Sequence, residues 1–174
     1  MTTMTKSAKT DAFARYDDLA IIDEAIVMEA RIEALLLRGA RAFTATVHRA
    51  QVRRMAREDR DHARILRRHL RELRGGPRGP GRTPRRVMPL GTLKPEQALD
   101  EALDAKREMS IYYTGIVDQV DDRFLRKFVE ILGRCEEEGR ELLIAMRDAE
   151  EFGQVPLGAD EFEADLEMEA DEAA

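Results

Sequence analysis

Apolar residues recur at spacings of three and four along four segments of this chain, a pattern typical of helices that bury one face. We therefore predict four amphipathic helices that pack into an all-α bundle. The four inward stripes are Ile22, Ala25, Ile26, Glu29, Ile32 and Leu36; Val52, Met55, Asp59, His62, Leu66, Leu70 and Leu73; Leu99, Leu103, Lys106, Met109, Tyr113, Ile116 and Val120; and Leu125, Phe128, Leu132, Cys135, Glu136, Gly139, Leu142, Leu143 and Met146.

The four helices form two copies of one unit. The segment DEAIVMEARIEALL, which starts at Asp23, aligns without a gap with DEALDAKREMSIYY, which starts at Asp100, at an offset of 77 residues. Internal repeats of this kind mark one structural unit used twice. Each copy is predicted to be a helical hairpin, with turns near residues 43–46 and 119–122.

A segment rich in Pro, Gly and Arg separates the two copies. It runs over residues 74–95 and contains residues that cannot continue a helix. Its length is typical of a crossover that spans a bundle from end to end. We predict a disordered N-terminus over residues 1–10, a four-helix bundle over residues 11–152 and an acidic disordered tail over residues 153–174.

Composition narrows the classes of protein that the chain can belong to. The sequence is rich in helix-forming residues and contains no Trp and one Cys, so strands and an internal disulfide are not expected. The N-terminal residues have no apolar core of a secretion signal, and no apolar run approaches the length of a membrane span. We expect a cytoplasmic protein without a membrane-spanning segment.

The net charge of −6 hides a strong asymmetry. Residues 49–86 contain 14 Arg and four acidic residues, whereas residues 153–174 contain eight acidic residues and no basic one. The arginines alternate with an apolar stripe and no aromatic residues are interleaved with them, which favours a solvated helix face over a nucleic-acid surface.

Five ionisable residues interrupt the apolar stripes at the middle of the helices: Glu29, Asp59, His62, Lys106 and Glu136. Burial of an unpaired carboxylate costs several kcal/mol, about the same order for each of the three acids, so they require cations nearby. Three carboxylates and one ammonium leave a charge that one divalent metal would neutralise, with a neutral His62 as nitrogen ligand. A metal-free network, in which Lys106 and a protonated His62 pair with the acids, is the alternative.

The spacing of these residues resembles the ferritin-like superfamily, and its rubrerythrin branch in particular, whose repeated hairpin carries a Glu on its first helix and Glu-x-x-His on its second. The first copy here has Glu29 and then Asp59-Arg60-Asp61-His62, with Asp in place of Glu. The second copy, 77 residues later, has Lys106 and then Glu136-Glu137-Glu138-Gly139. The resemblance covers about residues 15–150.

The resemblance implies a metal site with a defined ligand set. Glu29, Asp59, His62 and Glu136 would be the ligands of the first metal, whereas Lys106 and Gly139 replace both terminal ligands of the second. The resemblance therefore implies one iron or other divalent metal in place of a di-iron pair. If the chain is an enzyme, the resemblance implies a ferroxidase-like or peroxidase-like oxidoreductase.

Three functions remain open at this stage. The first is iron binding, or iron and peroxide handling, at one metal. The second is a non-catalytic scaffold or interaction protein whose interior is a network of salt bridges. The third is nucleic-acid binding through residues 49–86. We expect a homodimer, and the segment 155–158 of the tail is a candidate docking peptide for a partner or a protein shell.

Other polar residues near the stripes have simpler interpretations. His48 and His69 flank His62 on the second helix without an acidic residue at ligand spacing on the stripe, so we expect partly buried histidines with hydrogen-bond partners. Tyr113 is expected to be a core phenol with a partner, and Cys135 a small core residue.

Overall fold

The computed structural model describes residues 6–75 and 93–153, with side chains from residue 18 onward. The described residues form four long helices and no strand, which confirms the all-α prediction. The helices are α1 (Lys6–Gly39), α2 (Thr46–Leu73), α3 (Pro95–Ile116) and α4 (Arg123–Glu151). The single-turn helices Ala40–Ala42 and Val117–Gln119 precede the two hairpin turns, close to the predicted positions.

Local sequence accounts for where the helices begin. Pro95 opens α3, where its missing N–H costs no hydrogen bond, and the Gln97 side chain accepts the backbone N–H of Lys94. The Asp122 side chain caps α4 by accepting the N–H of Leu125. The first helix begins at Lys6, inside the segment predicted as a tail, because residues 6–20 contain no Pro or Gly that would stop it.

Contacts between the helix ends fix the directions of the helices. The Asp18 carboxylate near the start of the described side chains accepts the N–H groups of Asp121 and Asp122, so α1 and α3 run antiparallel. At the other end, a Cβ added at Gly39 would lie 3.1 Å from backbone atoms of Leu99, a close approach that favours glycine.

The second helix ends beside the first half of α1. Arg74 donates to the Asp23 carboxylate over 2.7 Å, while α3 begins beside the other end of α1. The end of α2 and the start of α3 therefore lie at opposite ends of the bundle. The predicted crossover lies almost wholly in residues 76–92, outside the described residues, as do residues 1–5 and the tail from residue 154.

The core follows the predicted stripes with one correction on α4. The stripe residues of α1 are all buried, and Val52, Leu66, Met109 and Leu132 lie among the buried residues of the other helices. Leu142, predicted to be inward, is 39 % exposed. Among the described residues no helix is both long and apolar enough to cross a membrane.

Candidate metal centre

All five interior ionisable residues meet at the middle of the bundle. Glu29 comes from α1, Asp59 and His62 from α2, Lys106 from α3 and Glu136 from α4. Four of the five are almost completely buried, and the side chain of His62 alone keeps some exposure, at 17 %. The cluster is therefore closed to water except at its histidine.

Lys106 is the cation that two of the acids share. Its Nζ lies 2.8 Å from Oε2 of Glu136 and 3.2 and 3.3 Å from the two carboxylate oxygens of Asp59. Charge-assisted hydrogen bonds of this length are strong inside a protein. The ammonium therefore occupies one side of the cluster and leaves Glu29 without a bond to it.

The other side of the cluster holds polar atoms without hydrogen-bond partners. Among the described residues, Glu29 Oε2, Glu136 Oε1 and His62 Nδ1 are buried and unpartnered. His62 Nδ1 lies 3.5 Å from Glu29 Oε2 and 4.0 Å from both Glu136 Oε1 and Asp59 Oδ1. Buried polar atoms rarely lack a partner, and each such atom costs about 1–3 kcal/mol.

These atoms converge on one point. Glu29, Asp59, His62 and Glu136 each offer one ligand atom, and the four atoms lie within 4.8 Å of one another. Donors about 2.1 Å from a single ion lie at most about 4.2 Å apart, so the four atoms need to approach by about half an ångström to share one. The donor set of one imidazole and three carboxylates suits iron, zinc or manganese.

Tyr113 fixes the position of Glu29. Its hydroxyl donates to Glu29 Oε1 over 2.6 Å, and both side chains are completely buried. This is the core phenol with a partner that the sequence predicted. The bond uses one carboxylate oxygen of Glu29 and leaves the other directed at His62.

Burial and mutual repulsion shift the acidities of the cluster. Desolvation raises the pKa of Glu136 to about 8 and that of Asp59 to about 6, although the Lys106 ammonium opposes both shifts. Burial alone would lower the pKa of Lys106 and of His62, but the surrounding carboxylates outweigh it and raise both. Both cationic forms are thus stabilised by an excess of negative charge.

Gly139 lies beside the ammonium group. A Cβ added there would meet the terminal methyl of Met55 at 3.3 Å and Lys106 Nζ at 3.4 Å. Lys106 and Gly139, which the repeat places at the two missing ligand positions of the second half-site, are therefore neighbours in the fold. The lysine side chain and Met55 fill the space beside this glycine.

The remaining histidines have acidic neighbours on other helices, which the sequence pattern did not reveal. His48 Nδ1 lies 3.1 Å from Glu150 of α4, and His69 Nε2 lies 3.4 Å from the Asp122 carboxylate. These partners are more than fifty residues away in sequence, and no local spacing predicts them. Cys135 is half-buried beside the cluster and is not one of the four converging residues.

A scan against protein-family models, a search of characterised proteins and a search of solved structures each gave no match to this chain.

Proposed function

We propose that this chain is a ferritin-like protein that binds one divalent metal ion, with iron as the first candidate, through Glu29, Asp59, His62 and Glu136. The observation that carries the proposal is the convergence of unpartnered atoms from Glu29, His62 and Glu136 at a point surrounded by carboxylates. A metal ion is a single group that would satisfy all of them together. The antiparallel arrangement of α1 with α3 is compatible with a ferritin-like topology.

Charge supports one metal ion. Three carboxylates and the Lys106 ammonium leave two negative charges, which one divalent ion neutralises. A second cation would have to approach the ammonium, which already lies between Asp59 and Glu136. The paired two-electron chemistry of a di-iron centre would then be lacking, so we expect iron binding, or slow handling of iron or peroxide, in preference to fast turnover.

The metal-free alternative is a bundle whose interior is a network of salt bridges. The pKa of His62 is raised, so a protonated His62 and Lys106 together would supply two positive charges to the three acids. This arrangement still leaves His62 Nδ1 beyond hydrogen-bond distance of Asp59 and Glu136. In that case the bundle would act as a scaffold or interaction module.

Elemental analysis separates these two functions. The chain would be purified without chelator from iron-supplemented cells, and we expect about one equivalent of metal per chain. The His62→Ala variant should retain less than about a tenth of that amount, because it loses a direct ligand. His69→Ala is the matched control, since His69 lies one heptad further along α2 and outside the cluster, and it should keep the full amount.

Two results would overturn the proposal. Less than about a tenth of an equivalent in the unsubstituted chain would favour the salt-bridge network over metal binding. Two equivalents would contradict the single site. A chelator should also lower the melting temperature of the loaded chain, because a ligand at about one hundred times its Kd stabilises the folded state by about 3 kcal/mol.

Nucleic-acid binding is the second candidate, on the strength of one surface of α2. Six exposed arginines at alternating spacings of four and three form a straight row along this helix: Arg53, Arg57, Arg60, Arg64, Arg67 and Arg71. Acidic side chains already pair with two of them, Arg60 with Glu33 and Arg64 with Asp61. Binding to duplex DNA should weaken by about 10³ or more between 50 and 200 mM salt if the row contacts phosphates. No binding at 50 mM salt would exclude this function.

A further inference from the structure

A second apolar stripe runs along the outer side of α4, apart from the one that faces the core. Its members recur at spacings of four and three and carry unusual exposure for their type: Phe124 is 52 % exposed, and Ile131 and Leu142 are each 39 % exposed. Phe128 and Cys135 fill two of the intervening positions and are half-buried. Glu138 is the one charged residue in this series.

The spacing is that of a coiled-coil seam. Residues separated by 3.5 positions on average stay on one side of a helix that packs lengthwise on another helix. The stripe spans Phe124 to Leu142, whereas the core-facing residues of α4, such as Leu125, Leu132 and Leu143, lie on a neighbouring face. This outer face is hence shaped for a second long helix.

Charged residues beside the stripe change sign halfway along α4. Lys127 and Arg134 flank its first half, and Glu141 and Asp148 flank its second half, each seven residues after the one before. Within the described residues, Lys127, Arg134 and Glu141 have no ion-pair partner, and Asp148 has a distant one, Arg147 at 4.0 Å. The row is thus available to a partner with the opposite order of charges.

This order of charges is complementary to itself when the helix is reversed. In an antiparallel pair with a two-fold axis between residues 137 and 138, Lys127 lies opposite the partner's Asp148, and Arg134 lies opposite the partner's Glu141. A parallel pair would place like charges at the same level, which is destabilising. A surface that complements a reversed copy of itself is the property of a two-fold interface.

We propose that the outer face of α4, defined by Phe124, Phe128, Ile131, Cys135 and Leu142, binds the same face of a second copy in antiparallel orientation. At about 1.5 Å per residue the helix is about 40 Å long, enough for a contact of several heptads. The dimer does not depend on bound metal. It covers Phe128, whose ring packs edge-on against His62, the one partly exposed member of the metal cluster.

Charge exchange tests both the face and the orientation. Arg134→Glu alone should raise the dimer dissociation constant by about tenfold or more in sedimentation experiments, because both symmetry-related pairs become repulsive. Glu141→Arg alone should do the same. The double variant R134E/E141R restores two opposite-charge pairs and should recover the original affinity. All three residues changed are on the surface, and circular dichroism checks that the helices are intact.

Cross-linking gives a second readout at the centre of the interface. Cys135 is the single cysteine and lies close to the proposed axis, so a short bis-maleimide should link two chains, and Cys135→Ser should abolish the link. In a Cys135→Ser background, mixed chains carrying Lys127→Cys or Asp148→Cys should cross-link to each other in preference to themselves. A monomer at high concentration, a dimer insensitive to the single charge reversals, or a double variant that stays dissociated would each overturn the proposal.

Discussion

The ammonium group of Lys106 lies 3.4 Å from the position that a Cβ at Gly139 would occupy. The internal repeat assigns Lys106 to the position of Glu29 and Gly139 to the position of His62, at the same offset of 77 residues. The two departures from the repeated pattern therefore touch each other. A longer side chain at residue 139 and the lysine at residue 106 would compete for one space, which accounts for their occurrence together.

This contact predicts a gain of metal in a double variant. Lys106→Glu with Gly139→His restores the two missing donors, and Met55 can adjust because its methyl end is flexible. We expect the metal content to rise from about one to about two equivalents per chain. Lys106→Glu with Gly139→Ala, which lacks the imidazole, is the matched control and should bind less. A ratio that stays at one in a folded double variant would contradict the proposed half-site.

A second prediction concerns Lys106 as a structural cation. Lys106→Met removes the positive charge that Asp59 and Glu136 share and leaves two buried carboxylates unpaired. In the presence of chelator we expect the free energy of unfolding to fall by about 3–5 kcal/mol, measured by urea denaturation. Arg107→Met, at the exposed neighbouring position, should change it by less than about 0.5 kcal/mol. Equal effects of the two substitutions would argue against a special role for Lys106.

Much of the bundle and its interior could be predicted from periodicity because helical spacing is local. Glu29 and Asp59 lie on the stripes of their own helices, so the spacing alone places them inward. Which acids Lys106 pairs with depends on how four helices meet, and the sequence left this open. The structure assigns it to Asp59 and Glu136 and leaves Glu29 to Tyr113.

The outer stripe of α4 was hidden by its overlap with the inner one. Phe128, Cys135 and Leu142 have spacings that fit either a core stripe or a neighbouring seam, since repeats of 3.5 and 3.6 residues diverge slowly over a few turns. The exposure of Leu142 separates the two. In the same way the contact between His48 and Glu150 joins residues 102 positions apart, beyond the reach of any local pattern.

The two adjacent tyrosines give a matched test of the support for Glu29. Tyr113→Phe removes a completely buried donor to the Glu29 carboxylate, and we expect a loss of about 1–3 kcal/mol in the free energy of unfolding. Tyr112 is half-buried, and its hydroxyl makes a long bond of 3.4 Å to the carbonyl of Ile21. Tyr112→Phe should therefore cost less than about 0.5 kcal/mol. The reverse order of the two losses, in urea denaturation, would contradict this assignment.

The last prediction concerns pH and a carboxylate far from the metal cluster. Glu150 near the end of α4 accepts hydrogen bonds from Thr44 and from the backbone N–H of Ala45, at the start of α2. Burial alone would raise its pKa, but these bonds outweigh burial and lower the pKa from 4.5 to about 2. The contact therefore joins the end of one hairpin to the start of a helix in the other only while Glu150 is ionised.

The sign of the pH effect follows from this lowered pKa. The contribution of Glu150 to stability is complete above the unfolded-state value of 4.5 and is lost as the pH falls from there toward about 2. We expect it to amount to about 1–3 kcal/mol. Glu150→Gln cannot ionise, so the difference in unfolding free energy between the unsubstituted chain and this variant should shrink between about pH 5 and about pH 3. A difference that is constant over that range would show that ionised Glu150 does not hold the two hairpins together, because only the carboxylate form of the contact changes with pH.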